Sequence, residues 1–156
     1  EELAQLRLIG RIPTIIGIQS EGANAVCRTF YRGEPFTPAD IQDATSLADS
    51  IAVGKPRDVI KACQWAERHN GFFLTVSDEE IGKSIVELAR ASGVFAEPAG
   101  AAAYAGLKRL KDEGFLNAKA RVALMITGNG LKDARAAVPY LAERVIPVSV
   151  EGIREK

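Results

Sequence analysis

The stretch Thr127-Gly128-Asn129-Gly130 places a hydroxyl, an amide and two glycines directly after five apolar residues, Val122 to Ile126. A short apolar run bounded by turn residues is the pattern of a strand covered on both faces. In open α/β sheets ligands gather beyond the carboxyl ends of such strands, so Thr127 is expected where a hydroxyl can meet one. A lone Gly-x-Gly is weak evidence for a nucleotide, and a plain strand-to-helix connection reads the same way. A second candidate is the segment opening at Glu97-Pro98, where Ala99, Gly100, Ala101, Ala102, Ala103, Ala105 and Gly106 leave little projecting from a helix. Either this helix packs tightly on a sheet, or a flat cofactor or anionic substrate approaches its N-terminus, where unpaired amides and the dipole favour negative charge. Glu97 either caps that helix or faces a cationic or hydrogen-bonding ligand group. The turn from Gln19 to Asn24, which contains Ser20, follows another β-branched run. It lines the same edge or is a plain polar loop.

The elements that must hold these residues follow from periodicity and punctuation. Strands are expected at 14–18, 72–76 and 122–126, and helices at 57–68, 79–91 and 98–113. A further helical stretch runs from Asn24 to Gly33, and Thr37 before Pro38 suggests a short N-capped turn. Ser77 and Glu80 have the spacing of a capping box. Asn70-Gly71, Gly93 and Gly114 are natural helix stops, and Pro98 suits the first position of a helix. Strands alternating with helices, without hairpin signals, predict an α/β fold with a mainly parallel sheet and helices on both faces. The 156 residues suit a single domain over 1–156.

Composition narrows the partners. Lysine plus arginine balance aspartate plus glutamate at 20 each, so no basic footprint for nucleic acid or an anionic membrane is expected. No apolar run approaches the roughly 20 residues of a membrane span, and the N-terminus lacks the design of a secretory signal, which predicts a cytoplasmic setting. The opening EELAQLRLIG reads as the later turns of a helix, so the chain is expected to start inside something longer. Cys27 and Cys63 lack metal-ligand spacing and read as reduced thiols. His69, the only histidine, is expected as a surface cation at a helix C-terminus. There is no Ser-His-Asp arrangement, no oriented Cys-His pair and no metal cluster. No catalytic residue is therefore assigned within this chain, and a small molecule or another subunit is the expected partner.

Three stretches together resemble one family. GVFAEPAGAAAYAGL (93–107), ITGNGLKD (126–133) and IIGIQSEGAN (15–24) are similar to the C-terminal half of pyridoxal-phosphate threonine synthases, whose fold class includes the serine and threonine dehydratases. The similarity runs from Leu3 to about Leu141. TGNGLKD and DSIAVGKPRD (49–58) are closer to the synthases than to the dehydratases. The resemblance implies a C-terminal portion of a type II pyridoxal-phosphate enzyme that converts O-phosphohomoserine and water to threonine and phosphate.

It further implies that the Thr127 hydroxyl meets the pyridine nitrogen of the cofactor, that Glu97 stands near the ring, and that the Ser20 loop forms a wall beside it. The family's cofactor-carrying lysine lies in a serine-x-lysine-aspartate type motif, and its phosphate cup is a glycine-asparagine loop upstream. Neither occurs in this chain, so the resemblance implies a missing N-terminal half as partner and a homo-oligomer in the intact enzyme. Lys132 follows the turn on the wrong side for the aldehyde carbon and reads as a surface or cap residue. A serine or threonine dehydratase, and a non-catalytic fragment acting as a binding module, stay open beside the synthase.

Overall fold

The computed structural model describes residues 1–141. The single-domain expectation over 1–156 therefore extends past the described residues. In chain order the elements are α1 (Glu2–Gln5), β1 (Ile16–Ser20), α2 (Ala25–Tyr31), α3 (Val59–Arg68), β2 (Phe72–Val76), α4 (Asp78–Ser92) and α5 (Pro98–Asp112), with 3-10 turns at Glu21–Ala23, Asp49–Ile51 and Gly130–Tyr140.

β1 and β2 pair in parallel, with Ile16 opposite Phe72 and Ser20 opposite Val76. Successive strand residues point to opposite faces, and the two faces have different covers. Phe73 meets the Phe30 ring of α2 at 5.3 Å between centroids, and Tyr31 donates to the Phe73 carbonyl at 2.8 Å. On the other face Ile18 lies against Gly106 of α5, so closely that a Cβ there would stand 2.3 Å from Ile18 Cδ1. Helices thus cover both faces of a parallel ribbon, in keeping with the α/β expectation.

α4 packs outside α5. Ile81, Ile85 and Leu88 form buried clusters with Ala96, Ala101, Ala102 and Ala105. The alanines let two helix backbones approach while Ile and Leu fill the seam, which is how tight packing uses small residues. α4 starts at a complete capping box in which Ser77 Oγ accepts from Glu80 N–H and the Glu80 carboxylate accepts from Ser77 N–H. It ends at Gly93 in the left-handed region, φ 75°. Pro98 opens α5 at its first position.

Arg109 fastens these pieces. Its guanidinium forks onto Glu80, with Nε to Oε1 at 3.1 Å and Nη2 to Oε2 at 2.6 Å, and donates to the Thr75 carbonyl at 2.6 Å. Glu21, just after β1, lies 3.5 Å away. Burial alone would raise the Glu80 carboxyl, but the bonds from Ser77 and Arg109 outweigh it and hold it below its ordinary value.

Four expectations are corrected. Val122 to Ile126 forms no ladder among the described residues. An apolar run records burial, whereas a strand also needs a neighbouring row of donors and acceptors, and β1 and β2 use each other. Val122 stays 50 % and Met125 77 % exposed, while Ile126 turns onto the α4–α5 core. The first strand begins two residues later than expected, at Ile16, because its ladder is limited to the five residues of β2. No helical turn forms at Thr37, whose hydroxyl points back to the Pro35 carbonyl at 3.5 Å instead of accepting a forward amide. His69 is mostly covered, its side chain 15 % exposed, with Nε2 2.7 Å from Glu1 and its ring 4.5 Å from Trp65. Cys27 and Cys63 are free thiols. Among the described residues no helix is long and apolar enough to cross a membrane.

Candidate functional site

The start of α5 and the Thr127–Gly130 turn are tied directly together. Glu97 N–H donates to the Gly128 carbonyl at 3.0 Å and Gly130 N–H to the Phe95 carbonyl at 2.8 Å, with Ala96 and Asn129 forming an antiparallel bridge between them. This short ribbon, not a sheet edge, sets the position of Thr127. Asn129 then accepts from Leu131 N–H at 2.9 Å and caps the following 3-10 turns.

Both glycines of the turn are required by this chain's own groups. A Cβ at Gly128 would lie 2.0 Å from Glu97 Oε1, and one at Gly130 would lie 2.7 Å from the Phe95 ring. On α5, Gly106 faces Ile18 too closely for a Cβ, whereas a Cβ at Gly100 would make only ordinary 3.4 Å contacts with the Gly128 backbone. Of the two readings left open by the sequence, tight packing accounts for Gly106.

Glu97 is buried, with a side chain 8 % exposed, and makes no capping hydrogen bond to its own helix. Its carboxylate lies over Gly128 and pairs with Lys132 Nζ at 2.9 Å. Lys132 also reaches Ser50 Oγ at 3.3 Å, which brings the 49–58 segment to the same place. Donating to the Glu97 carboxylate, together with that group's charge, holds the Lys132 ammonium above its ordinary range. Thr127 is exposed, and among the described residues its hydroxyl has no hydrogen-bond partner.

Ser20 stands apart. It is 1 % exposed at the end of β1 and its Oγ accepts from Gly22 N–H at 3.2 Å, capping the turn at Glu21–Ala23. Among the described residues it shares no hydrogen bond with Glu97, Thr127 or Lys132. Sequence reasoning placed Lys132 only as a surface or cap residue and missed its pairing with Glu97. A buried acid demands a cation, but a partner 35 positions away in sequence (132 − 97) cannot be chosen from spacing.

A sequence profile described as "Pyridoxal-phosphate dependent enzyme" matches residues 3–128. The chain belongs to the pyridoxal-phosphate dependent enzymes. Among members of this family it is similar to the threonine synthase of Methanocaldococcus jannaschii, 34 % identical over 145 residues that make up 92 % of this chain and 35 % of that protein. The threonine synthase of Mycobacterium bovis is 36 % identical over 97 % of this chain and 39 % of its own length, and that of Synechocystis 39 % identical over 86 % and 32 %. The chain therefore spans little more than a third of the curated relatives it matches.

Of solved structures, processed threonine deaminase isoform 2 from Solanum lycopersicum superposes with a TM-score of 0.64 over 87 % of this chain and 38 % of that one, at 17 % identity. That likeness shows the fold. The donor set at Thr127 fits one side of the family's cofactor: an open neutral hydroxyl suits a pyridine nitrogen. Lys132 Nζ is engaged by the Glu97 carboxylate at 2.9 Å.

Proposed function

We propose that this chain is the C-terminal part of a threonine synthase, one that forms threonine and phosphate from O-phosphohomoserine and water. The observation that carries this reading is the run of threonine synthase relatives at 34 % and 36 % identity across more than nine-tenths of the chain. Pyridoxal phosphate, when bound, supplies an electron sink for chemistry beside the substrate amine. In this reading Thr127 offers the ring nitrogen a neutral hydrogen bond, which leaves the sink tempered and suits elimination and replacement along the side chain rather than transamination. In the same reading Glu97, fixed over Gly128, stands near the cofactor ring and the Ser20 loop contributes a wall beside it. The remainder of the gene product would bring the cofactor-carrying lysine and the phosphate cup. A cytoplasmic homo-oligomer acting on an amino-acid substrate goes with this reading.

The test is an assay of the full gene product supplied with pyridoxal phosphate. Phosphate release from O-phosphohomoserine with matching threonine formation is the expected result. Keto acid and ammonia released from threonine, without phosphate release, would replace the reading with a dehydratase. Cofactor binding with neither reaction would leave a binding module.

A further inference from the structure

The pairing of Glu97 with Lys132 is not among the roles assigned above, and Lys132 lies beyond the family match, which ends at Gly128. Three observations define it. The carboxylate is almost wholly buried, with a side chain 8 % exposed, while the lysine that meets it is 64 % exposed. Glu97 spends its side chain neither on its own helix nor on any other charged group among the described residues. The contact falls on the backbone atoms next to Thr127, because the carboxylate lies where a Gly128 side chain would otherwise be. A buried carboxylate without a partner pays the full desolvation cost, and Lys132 is the cation that compensates the one seated over Gly128.

We propose that Lys132 is a positioning residue: its ammonium pins the Glu97 carboxylate over Gly128 and compensates its charge, so that the neutral Thr127 hydroxyl is the polar group presented to the cofactor's ring nitrogen. The inference rests on the cofactor placement proposed above. Chemically, a carboxylate stripped of its counter-ion beside a pyridine nitrogen favours the protonated ring, as an opposite charge nearby favours any cation. The compensated pair removes that pull. The charged groups around it are Lys132 from the 3-10 segment Gly130–Tyr140 and, behind Lys132, Asp49 from the turn at Asp49–Ile51. Ser50 Oγ steadies the ammonium from that same turn.

The experiment is a pH titration of the absorption spectrum of pyridoxal phosphate bound to the full gene product, with thermal melts of the cofactor-free protein alongside. Lys132→Met is expected to move the spectral midpoint upward by about one unit or more, and Lys132→Arg to titrate like the wild type. Glu97→Gln should move the midpoint downward. The double variant Glu97→Gln/Lys132→Met should return toward the wild-type value although both native side chains are gone, a result that a purely structural clasp would not give. In the melts the double variant should lose less than the sum of the single losses, as expected for residues in direct contact.

A Lys132→Met spectrum that titrates as the wild type, with or without a lower melting temperature, overturns the proposal. If that variant does not fold, an unshifted Glu97→Gln midpoint overturns it equally. Thr127→Val in the same titration separates the two levels. A spectrum unmoved by the loss of the hydroxyl refutes the cofactor placement, whereas one moved by Thr127→Val but not by the Lys132 variants refutes only this inference.

Discussion

Thr127→Val in the full gene product should leave the fold intact and slow threonine formation by about 5- to 150-fold. The swap nearly preserves volume and removes only the hydroxyl. Thr127 is exposed and its hydroxyl bonds to nothing else among the described residues, so folding has little to lose. The site has more to lose. A ring nitrogen left without its hydrogen bond in a desolvated setting costs roughly 1 to 3 kcal/mol, and each ~1.4 kcal/mol that falls on the rate-limiting barrier is a factor of ten. Thr127→Ser should keep most of the activity because the donor remains. Thr127→Asp should protonate the ring nitrogen and promote side reactions of a stronger electron sink. Wild-type rates and cofactor spectra in the valine protein would reduce Thr127 to a turn residue.

Ile85→Ala should destabilise the protein by about 2 to 5 kcal/mol, the range for truncating a buried aliphatic side chain to alanine. Ile85 is 1 % exposed and packs with Leu88, Ala96 and Ala101. The buried α5 residue of that cluster, Ala101, is already an alanine and has no atoms with which to fill the void. Urea unfolding should show a lower midpoint with an unchanged slope. A loss well under 1 kcal/mol would mean that the α4–α5 seam is not the core described here. Because Ala96 adjoins Glu97, the variant is also expected to loosen the start of α5.

Local chemistry was legible, and relations between distant segments were not. The bounds of β2, α4 and α5 follow from signals within a few residues of each end: Asn70-Gly71, the Ser77–Glu80 box, Gly93, and Pro98 at the first helical position. Val122 to Ile126 carried a strand's composition, yet a ladder depends on a partner that no local pattern contains. The glycines at 106 and 128 announced close approach, but only the fold names what approaches: Ile18 and the Glu97 carboxylate. For the same reason Glu97 was recognisable as unusual while its partner Lys132 was not. Thr127 was noticed as the hydroxyl ending an apolar run, and what holds it is instead the short antiparallel pairing of Phe95–Glu97 with Gly128–Gly130.

The division of labour proposed for the enzyme, with this chain on the ring-nitrogen side and the covalent lysine elsewhere, is tested most directly by borohydride trapping. The full gene product is loaded with pyridoxal phosphate, reduced, digested, and the modified peptide mapped by mass spectrometry. The account predicts a single modified lysine outside residues 1–156, with all eight lysines of this chain unmodified. Stoichiometric trapping on one of those eight, Lys132 above all, accompanied by loss of turnover, would contradict it.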